Sequence, residues 1–102
     1  MKRVLVRYKV KSDRAEENTD YIQKVFAELQ QNSPDGLRYA SFKLEDGVSF
    51  VHIASIETES GNNPLAESSA FKNFQAEIKD RCEEPPVAVE LNEIGSFKFF
   101  EK

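Results

Sequence analysis

Residues 48–56 read VSFVHIASI, and neither side of that segment is polar. Read as a strand, it puts Phe50, His52, Ala54 and Ile56 on one side and Val51, Ile53 and Ser55 on the other. A strand apolar on both faces must be covered on both. The preceding EDG is a hairpin signal, because Asp-Gly tolerates the positive backbone angles of a tight turn. LRYASFKL before it is therefore the partner strand. The chain has 102 residues, enough for one domain spanning 1–102. A domain so short covers both faces of a sheet with difficulty, so a second copy is an expected source of burial.

The rest of the chain supplies the other layers. RVLVRYKVK alternates, with Val4, Val6, Tyr8 and Val10 on one side and Leu5, Arg7 and Lys9 on the other. Ser12 or Asp13 is placed to cap the following helix, and Glu16 and Glu17 favour its first turn electrostatically. Ile22, Val25, Phe26 and Leu29 form its apolar stripe, and Pro34 and Gly36 end it. Asn63-Pro64 reads as a cap and first turn of a second helix. That helix carries Phe71, Phe74 and Ile78, with an expected kink near Ser68 and Ser69, and CEEPP ends it. VAVELNEIGSFKFF then predicts a fourth strand and an aromatic tail. The order β-α-β-β-α-β predicts a ferredoxin-like α+β fold: one four-stranded antiparallel sheet with both helices on one face. The tail's Phe97, Phe99 and Phe100 add apolar surface, which favours two sheets packed face to face in a homodimer. The alternative is a tail folded back on its own chain.

Composition excludes several classes. The net charge of −4 and scattered Lys and Arg argue against nucleic acid, which calls for a basic face. No apolar run approaches the ~20 residues of a membrane span. A single cysteine, Cys82, forms no internal disulfide, and MKRVLVRYKV lacks the long apolar middle of a signal peptide, so the cytoplasm is the expected location. One His and one Cys far apart in sequence give no metal-ligand spacing, and no glycine-rich phosphate loop is present.

His52, the lone histidine, is either a general acid or base or a satisfied core or interface group; its apolar neighbours and the lack of an evident orienting partner favour the second. Tyr8 and Tyr39 can donate to a substrate oxygen or serve as core aromatics. Arg7 and Lys9 point away from the helices and either pair with Glu90 or meet an anionic ligand. Cys82 is expected to be inert, with Arg81 the one cation near it.

The opening VLVRYKVKSD, the element order and the segment LAESSAFKNFQAEI resemble the antibiotic biosynthesis monooxygenase-like group of dimeric α+β barrel proteins. That group often carries His-Leu-x-Ser-x-x-Phe on its second helix, followed by another aromatic; Ser68, Phe71 and Phe74 match the Ser and aromatic positions. The resemblance implies a pocket between sheet and helices and, among the group's activities, cofactor-free oxygenation of small aromatic, polyketide- or quinol-like substrates. It implies substrate contacts from Val6, Phe42, Phe71 and Phe74, with His52 and Tyr8 as candidate catalytic groups and no cofactor. Haem-degrading members use an Asn, a Trp and a His at places held here by Val6, Leu65 and Gln75, so that chemistry is not expected. The alternative is a non-catalytic dimer that binds a small ligand or serves as an assembly unit.

Overall fold

A computed structural model describes residues 1–100. The alternating first segment forms β1 (Lys2–Val10), followed by α1 (Ala15–Asn32), β2 (Leu37–Lys43), β3 (Ser49–Ile56), α2 (Ser69–Ala76), α3 (Ile78–Arg81) and β4 (Cys82–Leu91). The sheet is antiparallel throughout, in the order β2-β3-β1-β4, with the helices on one face. This is the expected ferredoxin-like arrangement. Register places Val6 opposite His52 and Tyr8 opposite Phe50, so the helix-facing set of β1 meets the Phe50–Ile56 set of β3. Those side chains form the core with Ile22 and Val25 of α1 and with Leu65 and Phe74 above the sheet.

Several boundaries differ from the expected ones. Neither Ser12 nor Asp13 caps α1; Ser12–Arg14 form a short 3-10 helix, and Arg14 pairs with Glu17 at 2.6 Å across the first turn. The acids in that turn do stand where the helix dipole favours them. At its other end α1 stops at Ser33, in the left-handed conformation, with its N–H on the Leu29 carbonyl.

The second helix is broken rather than kinked. Asn63 caps a 3-10 helix over Pro64–Glu67, its side chain accepting from the Leu65 N–H. Ser68 then caps α2 afresh, accepting from Phe71 N–H at 3.0 Å. Glu28 of α1 reaches this second start and accepts from the Ser68 and Ser69 hydroxyls and the N–H groups of Ser69 and Ala70. A carboxylate there satisfies N–H groups that have no helical partner. Glu77 separates α2 from α3.

CEEPP does not end a helix; it opens β4. Two prolines are tolerated because β4 is an edge strand, where a missing N–H breaks no second ladder. The strand stops at Leu91, the last of the alternating residues, and the aromatic tail follows it. Part of the tail turns back: the Arg3 guanidinium stands 3.8 Å over the Phe100 ring and pairs with Glu93. Phe97 and Phe99 remain exposed.

Gly36 joins α1 to β2 at φ +77, and its carbonyl accepts from Glu57 N–H at 2.7 Å. A Cβ there would meet Thr58 Cγ2 at 2.7 Å, whereas one at Gly47, also at φ +77, would meet open space. Gly36→Ala should therefore cost about 2–3 kcal/mol in urea denaturation, and Gly47→Ala only about 1 kcal/mol, the backbone share alone.

Candidate functional site

The helix face of the sheet carries a row of near-parallel rings. Tyr8 stacks on Phe50 at 5.6 Å and on His52 at 5.4 Å; Tyr39 stacks on His52 at 5.9 Å and on Phe26 at 5.2 Å. Antiparallel register produces this, since neighbouring strands place their helix-facing residues side by side. Phe74 tilts over both Tyr8 and His52, and Phe71 stands edge-on to Tyr39.

Beyond the row the layers do not close. A cavity of about 870 Å³ separates the sheet from the second helical segment. Its floor is Val4, Val6 and Tyr8 of β1, Tyr39 of β2, and His52, Ala54 and Ile56 of β3. Leu65, Phe71, Phe74, Gln75 and Ile78 form the roof, and Pro85 and Pro86 close the β4 side. Lys72 and Lys79 add the only formal charges of the lining, which contains no carboxylate. Short α2, the break at Glu77 and the small Ala54 leave the gap. Its size suits a small organic molecule.

His52 is 4% exposed, and the orienting partners missing from the sequence reading are present. Its Nε2 is 2.8 Å from the Tyr8 hydroxyl; its Nδ1 is 2.6 Å from Ser41 Oγ and 3.0 Å from the Tyr39 hydroxyl. Tyr8 in turn accepts from Asn18 Nδ2 at 2.8 Å. Burial pushes the His52 pKa down to about 4, so the ring is neutral at pH 7. Burial pushes Tyr39 up to about 12 against its bond to Ser41, and raises Tyr8 well above the ordinary phenol against its bond from Asn18. The site thus offers two protonated phenols and a neutral imidazole: hydrogen-bond donors and a weak base, with no anion.

Of the residues singled out in the sequence, Val6, Tyr8, His52, Phe71 and Phe74 border one cavity. Phe42 does not. It pairs with Val51 on the outer face of the sheet and is 50% exposed, because the hairpin register puts Ser41, not Phe42, opposite His52. Val6, Leu65 and Gln75 all line the cavity, so the places where haem-degrading proteins carry Asn, Trp and His hold an apolar group, an apolar group and an amide here. Glu90 is not the partner of Arg7 or Lys9: it lies opposite Val4, while Lys9 meets Glu83 at 3.9 Å. Burial raises the Cys82 thiol pKa, with the Arg81 charge opposing, which keeps it protonated. Among the described residues no three acidic, His or Cys side chains gather as a metal site, and no helix is long and apolar enough to cross a membrane.

Asn18 and Arg81 escaped the sequence reading although both left a trace. Asn18 stands on the stripe with Ile22, Val25 and Leu29, and Arg81 continues the spacing of Phe74 and Ile78. A polar residue on an apolar stripe signals a buried partner.

His52 takes up a proton near pH 6.5 when unfolded and near pH 4 when folded, so acid favours the unfolded chain across that window. Stability from this group is complete above pH 6.5 and falls by about 3 kcal/mol on acidification to pH 4. Urea titrations between pH 6.5 and 5 should show this slope in the wild type and lose it in His52→Gln. The depressed carboxylates of Glu17, Glu28, Asp46 and Glu57 act lower, below their own unfolded pKa values.

No protein-family model and no curated protein matches this chain. Solved structures match its fold. One described as antibiotic biosynthesis monooxygenase superimposes with TM-score 0.75 at 14% identity, covering 93% of this chain and 100% of the other. Rv0793 from Mycobacterium tuberculosis gives TM-score 0.75 at 16% identity, over 93% and 96%. SnoaB, a cofactor-independent oxygenase from Streptomyces nogalater, gives 0.69 at 12% identity, over 95% and 96%. At such identities the likeness establishes architecture: this chain has the ferredoxin-like α+β fold of the antibiotic biosynthesis monooxygenase-like proteins.

Proposed function

We propose that this chain is a cofactor-independent, monooxygenase-like enzyme that takes a small flat aromatic of the quinol kind into the cavity. The observation that carries the reading is the cavity itself, about 870 Å³ of apolar wall with protonated Tyr39 and neutral His52 at its floor. The shared fold with SnoaB supports it. In this reading Val6, Phe71 and Phe74 hold the ring plane. The quinol hydroxyl gives its proton to water, and the resulting anion is stabilised by Lys72 and Lys79 and by a phenol donor. Dioxygen adds to a ring carbon of that anion. One oxygen atom stays as a new C–O bond and the other leaves as water, so quinol plus dioxygen gives hydroxyquinone plus water. His52 and Tyr8 serve by holding the floor in place, since both nitrogens of His52 are already engaged.

That last fact favours a second reading, a dimeric protein that binds a small aromatic without transforming it. Oxygen uptake with naphthohydroquinone separates the two. The enzyme should consume dioxygen above the autoxidation rate and release no hydrogen peroxide, and His52→Ala should lower the rate at least tenfold. Binding without uptake supports the second reading, and neither binding nor uptake removes both.

The partner proposed is a second copy. Phe42, Leu44, Val87 and Val89 leave apolar surface exposed on and beside the outer face, and Phe97 and Phe99 of the tail are exposed as well. Sedimentation equilibrium should show a dimer that Val89→Glu shifts toward monomer with the far-ultraviolet spectrum retained; a wild-type monomer refutes the pairing.

A further inference from the structure

Arg81 is fully buried, and no carboxylate among the described residues lies within ion-pair distance of it. Its guanidinium faces the rings of Tyr21 at 4.6 Å and Phe74 at 5.4 Å. Nη2 donates to the Phe74 carbonyl at 2.7 Å and Nε to Asn18 Oδ1 at 3.2 Å, while Nη1 is buried with no hydrogen-bond partner among the described residues. A buried cation with no carboxylate in ion-pair distance is a costly feature, and its geometry has consequences along the core.

A guanidinium only donates, so Asn18 must turn its oxygen toward Arg81 and its NH₂ toward Tyr8. The Tyr8 oxygen, having accepted from Asn18, has its own proton to place, and His52 Nε2 is 2.8 Å away. The reverse direction, Nε2–H into Tyr8, would leave the proton of this 4%-exposed phenol without a protein acceptor among the described residues, at about 1–3 kcal/mol. Nε2 is therefore the acceptor, and the single N–H of a neutral imidazole falls on Nδ1. There it meets Ser41 Oγ and the Tyr39 hydroxyl, which also bond each other. Three protons now face two oxygens, so one proton is surplus. Tyr39 borders the cavity and Ser41 does not.

We propose that Arg81 sets the direction of a one-way chain through Asn18 and Tyr8 that holds His52 as the Nδ1–H tautomer and leaves the Tyr39 hydroxyl as a donor into the cavity, for a carbonyl or oxyanion oxygen of the bound aromatic. The ligand half rests on the cavity being a binding site; the direction of the chain does not. Arg81 and Asn18 are positioning residues.

His52 is the only histidine, so a nitrogen-15 correlation spectrum of the imidazole reads a single ring. The wild type should show a protonated Nδ1 and a bare Nε2; the opposite pattern overturns the proposal. Asn18→Asp keeps the shape and still accepts from Arg81, but it cannot donate to Tyr8. Tyr8 then donates to the carboxylate, and the His52 tautomer should flip to Nε2–H. An unchanged tautomer in folded Asn18→Asp overturns Arg81 as the source of direction. If that variant does not fold, the wild-type tautomer and the binding arm decide.

For binding, naphthoquinone carries acceptor oxygens and naphthalene none. Tyr39→Phe should weaken naphthoquinone about tenfold and leave naphthalene unchanged, the size of one hydrogen bond made in an apolar site. Equal loss for both compounds, or none for either, overturns the donor role. The predicted tautomer with neither compound bound supports the chain's direction and overturns the cavity as their site.

Discussion

The buried seam of Arg81, Asn18 and Tyr8 joins the end of α3, the first turns of α1 and the central strand β1. Each member lies on a different element, so none is satisfied unless all three elements are in place. Hydrophobic burial alone would let α1 slide along its stripe of Ile22, Val25 and Leu29. A hydrogen bond from Asn18 to one phenol allows a single position. The seam also holds the His52 ring by its Nε2, while Ser41 and Tyr39 hold Nδ1 from the next strand. The polar groups of the helix face are thus organised from one end, and the ring row inherits its order from them.

Glu28 does the corresponding work on the other side. The break between the 3-10 helix and α2 leaves a set of N–H groups with no helical partner, and a carboxylate from α1 collects them together with two hydroxyls. The break at Ser68 is therefore a fixed joint. With the second interruption at Glu77 it makes the helical layer short above β1 and β4. The cavity follows from that shortness, since a continuous helix over 64–81 would bring further side chains down onto Val4 and Ala54.

Much of this was legible in the sequence. Period two identified β1, a segment apolar on both sides after an Asp-Gly turn identified β3 and its hairpin, and the i, i+3, i+4 spacing identified α1. The two misplaced side chains, Phe42 and Glu90, share one cause: parity. On β2 the sets Leu37, Tyr39, Ser41 and Arg38, Ala40, Phe42 are alike in polarity, so pattern does not tell which faces the helices. The connection over 44–48 decides, by placing Lys43 opposite Phe50. On β4 the ladder decides: pairing with Val4 turns Glu90 to the helix side, and the register shift after Arg7 sets Lys9 opposite Glu84, near Glu83. Neither the loop conformation nor the bulge leaves a mark in composition. The cavity is still less legible, because a void is a difference between volumes and no residue encodes it.

The outer face of the sheet divides into two regions by the same logic of satisfied groups. Around Arg3 it is already covered: Arg3 Nε donates to Ser55, Ser55 donates to Glu57, Arg38 pairs with Glu57 at 3.2 Å, and Phe100 lies across the guanidinium. Ser55 is buried there at 1% exposure. This corner accounts for Ser55 in the outer set of β3 without any second chain, and Ser49 at the other end of the strand donates to Asp46. The remainder, with Val51 and Ile53 beside Phe42 on one side and beside Arg7 and Leu5 of β1 on the other, and Val87 and Val89 beyond them, has no such cover and is only half-buried at its centre. An ion-paired corner beside an apolar field restricts how any covering surface can approach. It must lie over the part of the sheet away from Arg3, since displacing the Arg3 network would bury charges whose present partners are already in place.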